Sequence, residues 1–258
     1  MDRKSTLYVG ALAKGLRVLR AFDDAHPELS LSELVVRTGL DKSAVQRLSH
    51  TLHMEGMLEK DPGTRRFRPS HAWLQMAYAY YWSDQLVPLA LPKMIELSRV
   101  LGETVNLAEL SGDHIIYVTR LPCKRTDFAA SVAGRRLPAI STAAGRAILS
   151  TFTPEERATA AREWPMAGLT PRAELDREVI ARDIEEAVQV GYAISRDQMI
   201  LNEIAIAAPI RGADGRAVGA AQCSVSAHSW EEDAIRREIL PLLQDTANSI
   251  APSRGRRR

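Results

Sequence analysis

Two cysteines, Cys123 and Cys223, stand in 258 residues. A pair of thiols makes no disulfide framework, and a reducing cytosol is the simpler setting, so a cytoplasmic protein is expected. No apolar run approaches the roughly 18 residues of a membrane span. Met1 to Tyr8 is polar and charged, without the apolar core of a secretory leader, and none is expected. A net charge of +2 says almost nothing about a polyanionic partner for the chain as a whole. The sequence also lacks G-x-S-x-G, G-x-G-x-x-G, a Walker loop and H-E-x-x-H, which removes the readiest hydrolase, dinucleotide, nucleotide and zinc-protease readings.

What is present is unevenly distributed. Residues 1–70 hold 12 Lys/Arg against 9 Asp/Glu, whereas residues 71–253 hold 18 against 23. A mildly basic head on an acidic body suits a protein of which only the head meets a polyanion, although so small a surplus also arises by chance.

Within the head, Leu12, Leu16, Leu19 and Phe22 predict one amphipathic helix over about residues 9–22. Ser30 to Glu33 has capping-box spacing and opens a helix over Leu31–Arg37 that buries Leu31, Leu34 and Val35 and stops at Gly39. Asp41 caps a third helix with Val45, Leu48 and Leu52 inward and Lys42, Ser43, Gln46, Arg47 and His50 outward. Two short helices joined by a tight turn form a helix-turn-helix, and an outer face of donors matches the acceptor-rich major groove and its phosphates. Met57–Lys60 and Arg65–Arg68, joined by Asp61-Pro62-Gly63-Thr64, read as a hairpin with a basic edge of Lys60, Arg65, Arg66 and Arg68. In this position it is a wing able to touch phosphate or the minor groove. The candidate DNA contacts are therefore Lys42, Ser43, Gln46, Arg47, Arg65, Arg66 and Arg68. A plain three-helix module with a solvated polar face is the bland alternative. His50 and His53 have metal-ligand spacing, but a pair lying on a DNA-binding helix is the simpler reading, and no metal is expected.

Five of the 14 aromatic residues fall between Trp73 and Trp82. Ser70 to Trp82 reads as a linker helix with apolar side chains on more than one side, which calls for burial on several sides. Packing against the head and against a second copy would satisfy it, as would packing between domains of a monomer.

The body reads as α+β. Helices are predicted at 83–101, from Ser141, from Thr153, at Leu175–Val190 and from a capping box at Ser229–Glu232. Strands are predicted at Thr104–Leu110, Ile115–Arg120, Asp127–Val132, Tyr192–Ser195, Ile204–Ile210 and Val218–Val225, with Gly134–Pro138 as a loop. Thr142-Ala143-Ala144-Gly145 starts a helix with small residues, which suits either backbone N–H groups offered to an anion or close helix–strand packing. Cys123 and Cys223 read as packing residues, with a redox sensor as the alternative.

These segments carry a resemblance. Ala11 to Leu19, Leu31-Ser32-Glu33-Leu34, Gly39-Leu40 and Arg47-Leu48 resemble the head of the IclR family of bacterial transcriptional regulators. Gly102 to Ala108, Arg135 to Pro138, Thr142 to Ala147 and Gly191-Tyr192-Ala193 continue the likeness in the same order, most nearly to the branch controlling aromatic-acid catabolism. The resemblance implies a winged helix-turn-helix at 1–69, a linker helix at 70–83, a GAF-like antiparallel-sheet effector and oligomerisation domain at 84–252, and a basic tail at 253–258. It implies a regulator of a catabolic operon, repressor or activator, that binds an operator in double-stranded DNA and a small-molecule effector as a homodimer or tetramer, with no cofactor, membrane or enzymatic activity. An architectural DNA-binding protein and an enzyme with a DNA-binding head are the alternatives.

Carried onto this sequence, the family's effector pocket falls on Thr142, Ala143, Ala144, Ser195, Glu203, Ala205, Cys223 and Val225. Two positions depart from many relatives: Ile140 stands where His is frequent, and Asn202-Glu203-Ile204 replaces a Gly-Leu-Arg run. A carboxylate facing the pocket would favour a neutral, hydroxylated or amine-bearing ligand over a simple carboxylate.

Overall fold

A computed structural model describes residues 6–123 and 133–250. The strand expected at Asp127–Val132 and the basic tail at 253–258 lie outside them. The chain divides into two units between Ser83 and Asp84.

The first unit is three helices, a hairpin and a further helix. Its α1 is Gly10–Leu19, α2 is Leu31–Thr38 and α3 is Lys42–Met54. The capping box at the start of α2 forms as the spacing requires: Glu33 N donates to Ser30 Oγ at 3.3 Å, and Ser30 N donates to Glu33 Oε2 at 2.7 Å. Gly39 closes α2 with φ +63°, a left-handed conformation that a Cβ disfavours. Asp41 caps α3 through Ala44 N at 2.8 Å.

The inner face of α1 differs from the leucine repeat. Gly15 and Val18 are buried and, with Ala21 and Phe22 beyond, enter the core, while Leu12 and Leu16 are exposed. The helical period is right and its phase is not: the buried stripe runs through Gly15, which faces Leu48 of α3, and Val18, and the larger side chains of Leu12 and Leu16 turn outward. Strands β1 (Leu58–Lys60) and β2 (Phe67–Pro69) form the hairpin, and Leu29 bridges to Phe67 as a third edge. Then α4, Ala72–Ser83, buries none of its residues. Its first turn is anchored: Trp73 lies edge-on to Phe22 at 6.3 Å, and its Nε1 donates to Met57 O at 2.9 Å.

The second unit begins with α5 (Leu86–Leu101) and is built on β3 (Thr104–Ser111), β4 (His114–Leu121), β5 (Arg136–Pro138), β6 (Ala193–Arg196), β7 (Glu203–Arg211) and β8 (Ala217–Ser226). All pairings are antiparallel, in the order β5-β4-β3-β8-β7-β6. Part of the expected loop at 134–138 is thus an edge strand: Leu137 pairs with Ile115 and is buried, while Pro138, with no N–H to donate, ends the strand. Between β5 and β6 run α6 (Ala143–Leu149), α7 (Pro154–Glu163) and α8 (Arg177–Val190).

The last helix, α9, begins at Glu232, not at the Ser229 box. It has segments Glu232–Ala234 and Leu240–Ser249 around a wider π-type turn at Ile235–Ile239. No side chain caps it, and Pro241, which cannot donate back along the helix, is the second residue after the π turn. Among the described residues no helix is long and apolar enough to cross a membrane.

Candidate nucleic-acid interface and effector site

On α3, Ala44, Val45 and Ser49 are buried, and the side chains between them are forced outward: Lys42, Ser43, Gln46, Arg47 and His50 are all exposed on one face. His53 is turned to the wing instead, its Nδ1 2.9 Å from Leu58 O. Among the described residues no group of three or more metal-ligating side chains occurs.

The wing is a less open basic edge than its sequence suggests. Arg68 donates to the cross-strand Glu59 at 2.9 and 2.7 Å. Arg66 donates to Glu33 Oε2 at 2.7 Å and to Glu28 O at 3.0 Å. Glu33, bonded to Ser30 and then to Arg66, is held ionised down to a pKa of about 2. Arg65, the first residue after the turn, has φ +58° and is exposed.

In the second unit, strand register sorts the expected effector residues between two faces. Ala205 pairs with Ser195 and Ser224, and Gln222 with Ala207 and Asn106. Side chains alternate along a strand, so Ser195, Glu203, Ala205, Asn106, Gln222 and Ser224 share a face. That face packs against α6, since Ala205, Ala207 and Ala220 lie in one apolar cluster with Ala143, Ala144 and Ala147. Cys223 and Val225 alternate with Gln222 and Ser224 and therefore lie on the opposite face. Gly219, in step with Cys223, abuts Leu86 of α5 there. The structure thus gathers Thr142, Ala143, Ala144, Ser195, Glu203 and Ala205 and separates Cys223 and Val225 from them. Burial pushes the Cys223 thiol far up, as befits a packing residue.

The start of α6 is packed shut. Thr142 Oγ1 accepts from Gly145 N at 3.0 Å, which uses one of the N–H groups an anion would need, and all seven helix residues are buried. A Cβ at Gly145 would lie 2.0 Å from the carbonyl oxygen of Ala139. Of the two readings of the small-residue run, this geometry requires close packing.

Beside it the sheet carries polar groups that periodicity and motif did not reveal. Arg120 donates to Asn106 Oδ1 at 3.0 Å, Tyr117 OH to Gln222 Oε1 at 3.1 Å, and Gln222 Nε2 to Ser224 Oγ at 3.2 Å. Asn106 Nδ2 and Arg120 Nε are buried donors with no partner among the described residues. Such groups are costly to leave unmade, and a ligand could satisfy them. Burial raises the Glu203 carboxyl above its usual range, against the pull of the Arg120 and Arg135 guanidiniums, and pushes the Tyr117 phenol up to about 12. Two cations, an amide pair, a phenol and one carboxyl can receive a small ligand with an anionic end and a hydrogen-bonding end. Asn106 and Gln222 are polar interruptions of apolar strands, a signal that acquires a direction only once the register is known.

Comparison with known proteins agrees with this architecture. Residues 11–62 match the IclR helix-turn-helix domain, and residues 79–252 match the bacterial transcriptional regulator IclR C-terminal family. The p-hydroxybenzoate hydroxylase transcriptional activator of Acinetobacter baylyi is 28% identical over 94% of this chain and 91% of its own. A crystal structure of an IclR transcriptional regulator from Alicyclobacillus acidocaldarius superposes with a TM-score of 0.81 at 22% identity, covering 94% of this chain and 97% of the other. The inducer-binding domain of a double mutant of the Acinetobacter transcription factor PobR, in complex with 3-hydroxybenzoic acid, superposes at 0.57 with 25% identity, covering 64% of this chain and 97% of that one. With a helix-turn-helix whose outer face is all donors, and family matches across both units, the chain belongs to the IclR family and is a DNA-binding transcriptional regulator.

Proposed function

We propose that this regulator takes a small hydroxylated aromatic acid on the polar part of the sheet face, beside the closely packed α6, and that occupancy shifts its affinity for DNA without chemical turnover. The observation that carries this reading is the pair of buried donors without a partner among the described residues, Arg120 Nε and Asn106 Nδ2, with Glu203 on the same face. The carboxylate of the ligand meets the donors and its hydroxyl meets Glu203. Arg120 and Arg135 outnumber that single carboxyl, so the repulsion expected from Glu203 alone does not decide the ligand's charge. The activator of p-hydroxybenzoate hydroxylase and the inducer domain with 3-hydroxybenzoic acid support the ligand class. A ligand shifts DNA affinity only through different affinities for two arrangements of the protein.

Calorimetry with 4-hydroxybenzoate and 4-hydroxybenzyl alcohol separates the two ends of the ligand. The acid should bind roughly 10- to 100-fold more tightly, the worth of a charge-assisted hydrogen bond. Equal affinity for the neutral alcohol would remove Arg120 and Asn106 from the carboxylate role.

The protein acts as a homodimer through α4. Leu74 is 71% exposed, Tyr78 65% and Trp82 74%. Contiguous apolar area of this kind marks an association surface, and a two-fold reader suits a dyadic operator. Sedimentation at micromolar concentration should show the dimer, whereas a stable monomer would contradict it.

A further inference from the structure

The wing holds three arginines that composition would assign to phosphate, yet they differ in what they touch. Arg66 is tied at both ends of a short loop: Glu28 O and Glu33 Oε2 accept from the same Nη2 at 3.0 and 2.7 Å. Beside it, Leu29 and Phe67 exchange both backbone bonds, at 2.9 and 2.8 Å. The Glu33 oxygen that receives Arg66 also accepts from Ser30 N, so one carboxylate both caps α2 and holds the wing. Half-exposed ion pairs add little to stability. What this one fixes is position, because α2 is the first helix of the helix-turn-helix and the wing is the second element beside DNA.

We propose that Arg66 is a positioning residue for DNA binding: it stays on Glu33 in the complex and sets the wing relative to α2, while Arg65 supplies the phosphate contact. Arg65 stands exposed at the end of the turn, where its guanidinium can reach a phosphate without leaving a carboxylate behind. DNA binding would then depend on Arg66 through geometry and on Arg65 through charge.

The two roles separate in salt dependence. The probes are a duplex enriched from a random pool by the wild-type protein and an unselected duplex of mixed sequence, each titrated by fluorescence anisotropy across a range of salt. Arg65→Ala should lower the slope of log affinity against log salt by about one on both duplexes. Arg66→Ala should leave the slope unchanged and weaken the selected duplex roughly tenfold, the size of a coupled side-chain pair, with the unselected duplex unaffected. Glu33→Gln keeps an acceptor for the α2 cap and loses the ion pair. It should reproduce the selective loss, and the double variant should be no worse than either single one. The proposal is overturned if Arg66→Ala lowers the slope as Arg65→Ala does. It is overturned equally if Arg66→Ala leaves both affinities unchanged, or if Glu33→Gln tightens both duplexes by releasing Arg66 to phosphate.

Discussion

Gly145→Ala should destabilise the second unit by about 3 kcal/mol, at the upper end of overpacking costs. The added methyl would sit 2.0 Å from Ala139 O, 2.5 Å from Ala139 C and 2.7 Å from Ala139 Cα. All three are backbone atoms, and no rotamer change moves them aside. Ala139 is itself fixed, since its N–H donates to Asp113 O at 3.1 Å and its oxygen accepts from Thr142 N at 3.0 Å. Helix α6 must therefore back away from the turn before it, and Ala143 and Ala144 leave the sheet face they cover. Thermal unfolding should show the transition lowered by roughly 6–12 °C for a unit of this size. Gly215→Ala gives the contrast. Its φ is positive, +80°, but nothing lies within 4 Å of its Cβ position, so only backbone strain is added. An unchanged transition for Gly145→Ala would mean that α6 is free to shift and is no fixed wall of the effector site.

Arg120→Gln should weaken 4-hydroxybenzoate roughly 10- to 100-fold, since a charged donor is lost from a buried site. The change keeps an amide in place of the guanidinium, so the bond to Asn106 Oδ1 can be replaced and the strand retained. Cys223→Ala is the control. Cys223 is fully buried, and the methyl keeps the apolar character of its site on the α5 side of the sheet. It should leave affinity within about threefold while costing some stability, as a small cavity does. If Cys223→Ala abolishes binding and Arg120→Gln does not, the ligand lies on the other face.

The contrast between Arg120 and Cys223 shows where the sequence is legible. Periodicity and caps locate nearly every element, because Ser30, Asp41 and Thr153 are local signals whose side chains bond backbone N–H groups three residues on. The donor face of α3 is legible for the same reason, since one helix carries it. The proposed effector site is assembled from five strands, and its polar groups meet through register. A bulge between Leu107 and Ala108 puts Tyr117 and Arg120, an odd number of residues apart, onto one face. Strict alternation would have sent them to opposite sides. Cys223 and Val225 follow the alternation faithfully and share a face with each other, but nothing local says which face. Leu12 and Leu16 fail differently: the helical period they set is kept, but the buried stripe runs through Gly15 and Val18, a phase that leucine spacing does not reveal.

Coupling between effector and operator is tested most directly by DNA affinity with and without ligand. The full-length protein, bound to a duplex it has itself enriched from a random pool, is titrated with 4-hydroxybenzoate while anisotropy reports the DNA. DNA affinity should change by about 5- to 150-fold, the usual span of allosteric coupling, and the change should be lost in Arg120→Gln at the same ligand concentration. DNA affinity that is indifferent to the ligand in the wild-type protein, or that responds undiminished in Arg120→Gln, would contradict the effector site proposed for this regulator.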